Sequence, residues 1–298
     1  MQSRPCSIGV VHACDAHEGL EPDDGSGAPG GVREPFANVG ARPATIGPTM
    51  SANLFVTATG RPAVLAHRGM GQGTSPSGHR ENTLDSLLRA VDEGADWVEC
   101  DVQLSSDHDL VLTHNVVHDG RTIRATTTAE LLHRGLDTLT DAHERMPRHV
   151  GFDLDVKISL ADVPGRLPDL FADVVAWAEK AQAERPLLLV SFCPTLPSRS
   201  GGVPLGWMTN PGAWYYESVV SAVRMGAAVA GVHARDVLDV PPGCPPAVEV
   251  GGFAREYEVA VKAWGVEPGD VPALVAGGVT GLCGDDVAGI AAAVAALP

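Results

Sequence analysis

Positive charge is in short supply in this sequence: 21 Lys and Arg stand against 37 Asp and Glu, a formal net charge of −16. Neutralising a nucleic-acid backbone needs a basic surface that such a chain does not supply, so a nucleic-acid partner is excluded. A single phosphorylated small molecule is not, because one or two local cations suffice to hold it. Long apolar runs are missing as well. None approaches the roughly 18 residues of a membrane span, which argues against stable membrane insertion. The opening stretch MQSRPCSIGVVHACDAHEGLEPDD lacks the basic start and apolar core of an export signal, so the expected location is cytoplasmic. The six cysteines include no Cys-x-x-Cys pair, and neither a zinc knuckle nor a disulfide framework is indicated. No His-x-His pair follows the first expected strand, which speaks against a zinc amidohydrolase.

What is present begins late. The first fifty residues are rich in Gly, Pro, Ala and Asp and carry no period of helix or strand. Residues 1–58 are therefore expected to be a disordered or loosely attached extension, with Met50 a candidate translation start, and residues 59–298 a single domain. From Arg61 on, short apolar runs alternate with amphipathic segments. PAVLA, DWVECDVQL, DLVLTH, GFDLDVKI, PLLLVSF, VPLGWM, AAVAGVHA, VAVKAWGV and GVTGLCG read as strands, with helical segments between most of them. Leu84, Leu87, Leu88 and Val91 mark one helix face, with Asn82 or Thr83 placed to cap it. The repetition predicts an α/β protein, a somewhat irregular TIM (β/α)8 barrel. The ninth strand is accounted for by DLVLTH, which follows DWVECDVQL too closely for a crossover helix and is expected to turn back on it as a hairpin.

That hairpin gathers chemistry. A tight turn centred on Asp107 and His108 would set Asp101 opposite His114, and strand alternation puts Glu99 on the same face as Asp101. In GFDLDVKI the same alternation puts Asp153, Asp155 and Lys157 on one face and Phe152, Leu154 and Val156 on the other. Charge alternating with apolar bulk inside an otherwise apolar barrel points to a site rather than to packing.

The motifs His67-Arg68-Gly69, Glu81-Asn82-Thr83, GADWVECDVQLSSD with Glu99 and Asp101, LVLTH ending in His114, and DLDVK with Asp155 and Lys157 resemble the glycerophosphodiester phosphodiesterase family in order and approximate spacing. The resemblance implies the phosphatidylinositol-phospholipase-C-like barrel and metal-dependent hydrolysis of a small-molecule phosphodiester to glycerol 3-phosphate and an alcohol. It implies Glu99, Asp101 and Asp155 as ligands of a divalent ion, Mg²⁺ or Ca²⁺ on an all-oxygen donor set. His67 and His114 become the general acid/base pair, and Arg68, Lys157 and Trp264 the substrate-binding residues. Glu81 and Asn82 would support them from behind. Two alternatives within the same fold are a phospholipase-D-like transfer that releases a cyclic phosphate, and a phosphodiester-binding barrel without turnover. The latter is suggested by Asn115 and Asp155, where the family usually has Asp and Glu. Asp153 is an alternative ligand, His233 a candidate for lining the pocket, and Asp285 with Asp286 is expected to cap a helix.

Overall fold

A computed structural model describes residues 53–157, 167–193 and 202–298. Eight strands in the described residues form a closed barrel: β1 (Ala63–Ala66), β2 (Trp97–Leu104), β3 (Gly151–Val156), β4 (Leu187–Ser191), β5 (Leu205–Met208), β6 (Val229–His233), β7 (Ala260–Trp264) and β8 (Gly281–Gly284). All neighbours are parallel, and β1 closes the ring by pairing with both β8 and β2. The ninth expected strand is the short Leu110–Leu112, antiparallel to β2 as a hairpin arm. The first helix is Leu84–Asp92, and of the two candidate caps it is Thr83 whose hydroxyl accepts from the Ser86 amide.

Because side chains alternate along each strand, every second residue enters the lumen, and the lumen is filled in tiers. The lowest tier is apolar. Ala63, Trp97, Leu188, Val229 and Ala260 belong to one buried cluster with Phe55, whose ring meets Trp97 edge-on at 5.2 Å. Trp97 fits because its register partner on β3 is Gly151, where a Cβ would lie 2.2 Å from the indole. The middle tier mixes Leu65, Val190 and Cys283 with Glu99, Asp153 and Lys262, all buried. The top tier, at the C-terminal mouth, holds Asp101 and Asp155 on the β2–β3 wall and Trp264 on the far side.

Within the expected extension 1–58, Phe55 is fully buried as the plug of the barrel floor and Val56 bridges to Pro62, while residues 1–52, Met50 among them, lie outside the described residues. One expectation changes: the hairpin register shifts by one. Ser105 donates to the Asp109 carbonyl, leaving a three-residue loop that His108 closes with a left-handed φ of 70°. Asp101 consequently faces Thr113, whose amide donates to its carbonyl at 2.9 Å, and not His114.

Candidate active site

The mouth is organised by a left-handed turn. At the end of β1 the chain passes through Arg68 with φ 52° and Gly69 with φ 84°. Only glycine fits at the second position, since a Cβ there would sit 2.4 Å from Ser86 Oγ and 2.7 Å from its backbone. The turn aims the Arg68 amide at Glu99 Oε2, 2.9 Å away. It also folds the guanidinium back onto Glu81 (Nη1 to Oε2, 3.0 Å) and Asp101 (Nε to Oδ2, 3.2 Å). Glu81 Oε2 accepts a further bond from the Gly73 amide at 2.7 Å, tying the loop after Gly69 to the same arginine. Asn82 is held at φ 55° and grips Asp101 twice: its Nδ2 donates to Oδ2 at 2.7 Å, and its Oδ1 accepts from the Asp101 amide at 2.9 Å. Two non-glycine residues in the left-handed region, both against the same carboxylates, are strain held at a site by its surroundings.

On the adjoining wall the parallel register pairs Glu99 with Asp153 and Asp101 with Asp155, so four carboxylates stand in two rows on neighbouring strands. Lys157, in the same phase beyond the end of β3, lies 3.0 Å from Asp101 and 2.5 Å from Asp155. Burial works against the Asp101 carboxylate, but Lys157 and Arg68 outweigh it and hold its pKa below the usual value. At Glu99 the balance is reversed, and the charges of His67 and Lys262 do not offset what opposes ionisation. Burial first and the neighbouring Asp101 second push its pKa up to about 7. Oxygens of Glu99, Asp101 and Asp155 lie within 4.8 Å of one another. Asp155 Oδ1 is buried with no hydrogen-bond partner, and Asp101 Oδ1 has only its ion contact with Lys157. Buried oxygens left unpaired beside a carboxylate that resists ionisation are what an all-oxygen divalent-ion site looks like without its ion, so this donor set fits Mg²⁺ or Ca²⁺.

The two histidines sit in different fields. His67, following β1, places Nδ1 2.6 Å from Asp285 Oδ1 at the end of β8. Burial lowers its pKa, yet the bond to Asp285 and the charge of Glu99 outweigh burial and the net shift is upward. His114, at the end of the hairpin arm, has only the amide oxygen of Asn115 near Nδ1, at 3.3 Å. There burial dominates and the pKa falls, although Asp101 pulls the other way. A cleft of about 260 Å³ opens beside His114, between the 73–82 loop and the hairpin, with Arg80, Glu81, Asn115 and His118 in its walls. Across the mouth, Trp264 stands edge-on between His233 (4.5 Å) and Phe192 (6.0 Å).

A model of the glycerophosphoryl diester phosphodiesterase family matches residues 67–288, most of the chain. The chain belongs to this family. "Probable glycerophosphodiester phosphodiesterase 1" of Mycobacterium tuberculosis is 44% identical over 73 residues, 24% of this chain and 23% of that protein, so less than a quarter of this curated relative is matched. The fold matches the crystal structure of a glycerophosphodiester phosphodiesterase from Thermotoga maritima with a TM-score of 0.61 at 21% identity, over 76% of this chain and 96% of that one. It also matches a phosphodiesterase from Oleispira antarctica in complex with the product sn-glycerol-3-phosphate, with a TM-score of 0.59 at 22% identity, over 79% and 98%.

In this member of the glycerophosphoryl diester phosphodiesterase family, the candidate residues singled out in the sequence gather at the mouth, with Glu99 and Asp153 one tier below it, and two contacts among them were not anticipated. Asp285 was expected to cap a helix; Asp286 does that, accepting from the Gly289 amide, while Asp285 holds His67. Lys262 passed as part of an apolar strand and is instead a fully buried cation paired with Asp153. A charged residue in phase with Trp264 on a buried strand was the signal available for it. Asp153, the alternative ligand, bonds Lys262 through Oδ2 and keeps Oδ1 buried without a partner.

Proposed function

We propose that this protein hydrolyses a glycerophosphodiester to glycerol 3-phosphate and an alcohol, with a divalent ion on Glu99, Asp101 and Asp155. The reading rests on one arrangement: two histidines in opposite electrostatic settings and two cations, Arg68 and Lys157, around a buried oxygen triad at the C-terminal mouth of the barrel. Family membership supports the same chemistry.

A phosphodiester is anionic and repels a nucleophile, so charge must be neutralised, one proton removed and another delivered. An ion held by Glu99, Asp101 and Asp155 would supply concentrated positive charge to offset the anionic diester. Arg68 and Lys157 add theirs, the first as a planar fork and the second as a point charge. His114, neutral near pH 7 because burial lowers its pKa, takes a proton from the attacking water. His67, kept protonated by Asp285, delivers a proton to the departing alcohol oxygen at Nε2. Trp264 and its aromatic neighbours wall one side of the mouth, and the buried Trp264 Nε1, without a partner of its own, offers a donor to the substrate. Among the described residues no helix is long and apolar enough to cross a membrane. We place the activity in the cytoplasm, on water-soluble head groups.

³¹P NMR of the protein with Mg²⁺ or Ca²⁺ and a mixture of glycerophosphodiesters tests the reaction. A monoester resonance appearing without a cyclic precursor supports hydrolysis. An accumulating cyclic phosphate establishes intramolecular transfer instead, and unchanged spectra refute turnover of these diesters.

A further inference from the structure

The buried pair of Lys262 and Asp153 has no part in the proton transfers, yet it crosses the lumen directly beneath the oxygen triad. Lys262 is on β7 and Asp153 on β3, four strands apart in either direction around the eight-stranded ring, so the lysine stem spans the barrel. Its register partners are glycine on both sides, Gly231 on β6 and Gly281 on β8, and the space over them is filled by Met208 and Phe55. The ammonium is 1% exposed and the carboxylate 0%. Asp153 also occupies the register position opposite Glu99, a member of the triad. It stands in the same tier as Glu99, yet the close oxygen cluster contains Glu99, Asp101 and Asp155.

We infer that Lys262 is a positioning residue that withdraws Asp153 from the ligand set and fixes the divalent-ion site at three carboxylates. Lys262 takes Asp153 Oδ2 across the lumen and leaves Oδ1 buried without a partner, outside the close cluster of Glu99, Asp101 and Asp155. Without it, a fourth carboxylate faces Glu99 with no cation of its own, and the ion becomes the only partner available to it. The pair is neutral as a whole, so its effect on the ion depends on which half is removed. This inference rests on the metal reading of the triad.

Calorimetric titration of chelator-treated protein with CaCl₂ and with MgCl₂ tests it on the wild type, Lys262→Met, Asp153→Asn and the double variant. The expected order is a charge ladder: Lys262→Met binds about tenfold more tightly than wild type and Asp153→Asn about tenfold more weakly, while the double variant returns to within about threefold. Thermal unfolding gives a second reading, with Lys262→Met gaining more from added ion than the wild type gains. If Lys262→Met does not fold without ion, the weakened Asp153→Asn and the recovered double variant carry the test. Equal affinity in the folded variants, or a double variant that departs as far as either single one, overturns the inference while leaving the metal site intact. A wild type that binds neither ion overturns the metal reading and this inference with it.

Discussion

The floor and the mouth of this barrel are made by the same strands in the same phase, and they have opposite chemistry. On β1 the inward positions run Ala63, Leu65, His67; on β2 they run Trp97, Glu99, Asp101. The floor is dry and interdigitated, with Phe55 and Trp97 fully engaged and no charge among them. The mouth contains left-handed Arg68 and Asn82, paired cations and oxygens without partners. Stability is concentrated at one end of the lumen and reactivity at the other, so a substitution should report which end it strikes.

The largest expected effects are catalytic and belong to the mouth. His67→Ala and His114→Ala should each lower kcat/KM by about 10²–10⁴-fold, with Tm within about 2 °C of wild type. A comparable loss of Tm would mean that the histidines hold the barrel together, and the division would fail. At the floor, Phe55→Ala should cost about 3–5 kcal/mol of unfolding free energy, measured by denaturant titration, while activity per folded molecule stays unchanged. A fall in that specific activity would couple the ends.

Asn82→Ala strikes the join between the two. It deletes both bonds to Asp101 and leaves alanine at a left-handed position, so it should cost about 1–3 kcal/mol and lower kcat about 10–100-fold. Loss of stability alone would make Asn82 a structural residue. The smallest effect is a displacement in pH. Asp285→Asn removes the negative charge that helps raise the His67 pKa, so less of the ring is protonated at a given pH. With His67 as the proposed acid, its rate contribution disappears as pH rises through its pKa. The alkaline limb of kcat/KM should therefore move to lower pH by about one unit while the acid limb stays in place. Movement of the acid limb instead would exchange the roles of the two histidines.

Much of this division could be read from the sequence because alternation is a local property. WVECDVQL and GFDLDVK alternate charge with apolar bulk in strict period two, and once the faces are assigned Glu99, Asp101, Asp155 and Lys157 must share a lumen. The hairpin was legible from its short connection, but its register was not. A shift of one residue turned on His108 adopting a left-handed φ, which the stretch Asp-His-Asp does not announce. Lys262 and Asp285 were hidden for a different reason. Their partners are 109 and 218 residues away along the chain, and only closure of the barrel brings them together. Phe55 escaped because three apolar residues in a row, Leu54 to Val56, have no period, and a plug belongs to no repeat.

The most direct test of the central claim is the rate of glycerophosphodiester cleavage in chelator-treated protein before and after Mg²⁺ or Ca²⁺ is restored, with thermal unfolding followed on the same samples. The account predicts that cleavage stops on chelation and returns with the ion while the unfolding transition stays cooperative throughout, because the floor holds the fold and the mouth holds the ion. Cleavage that persists without a divalent ion, or a barrel that unfolds when the ion is removed, would contradict it.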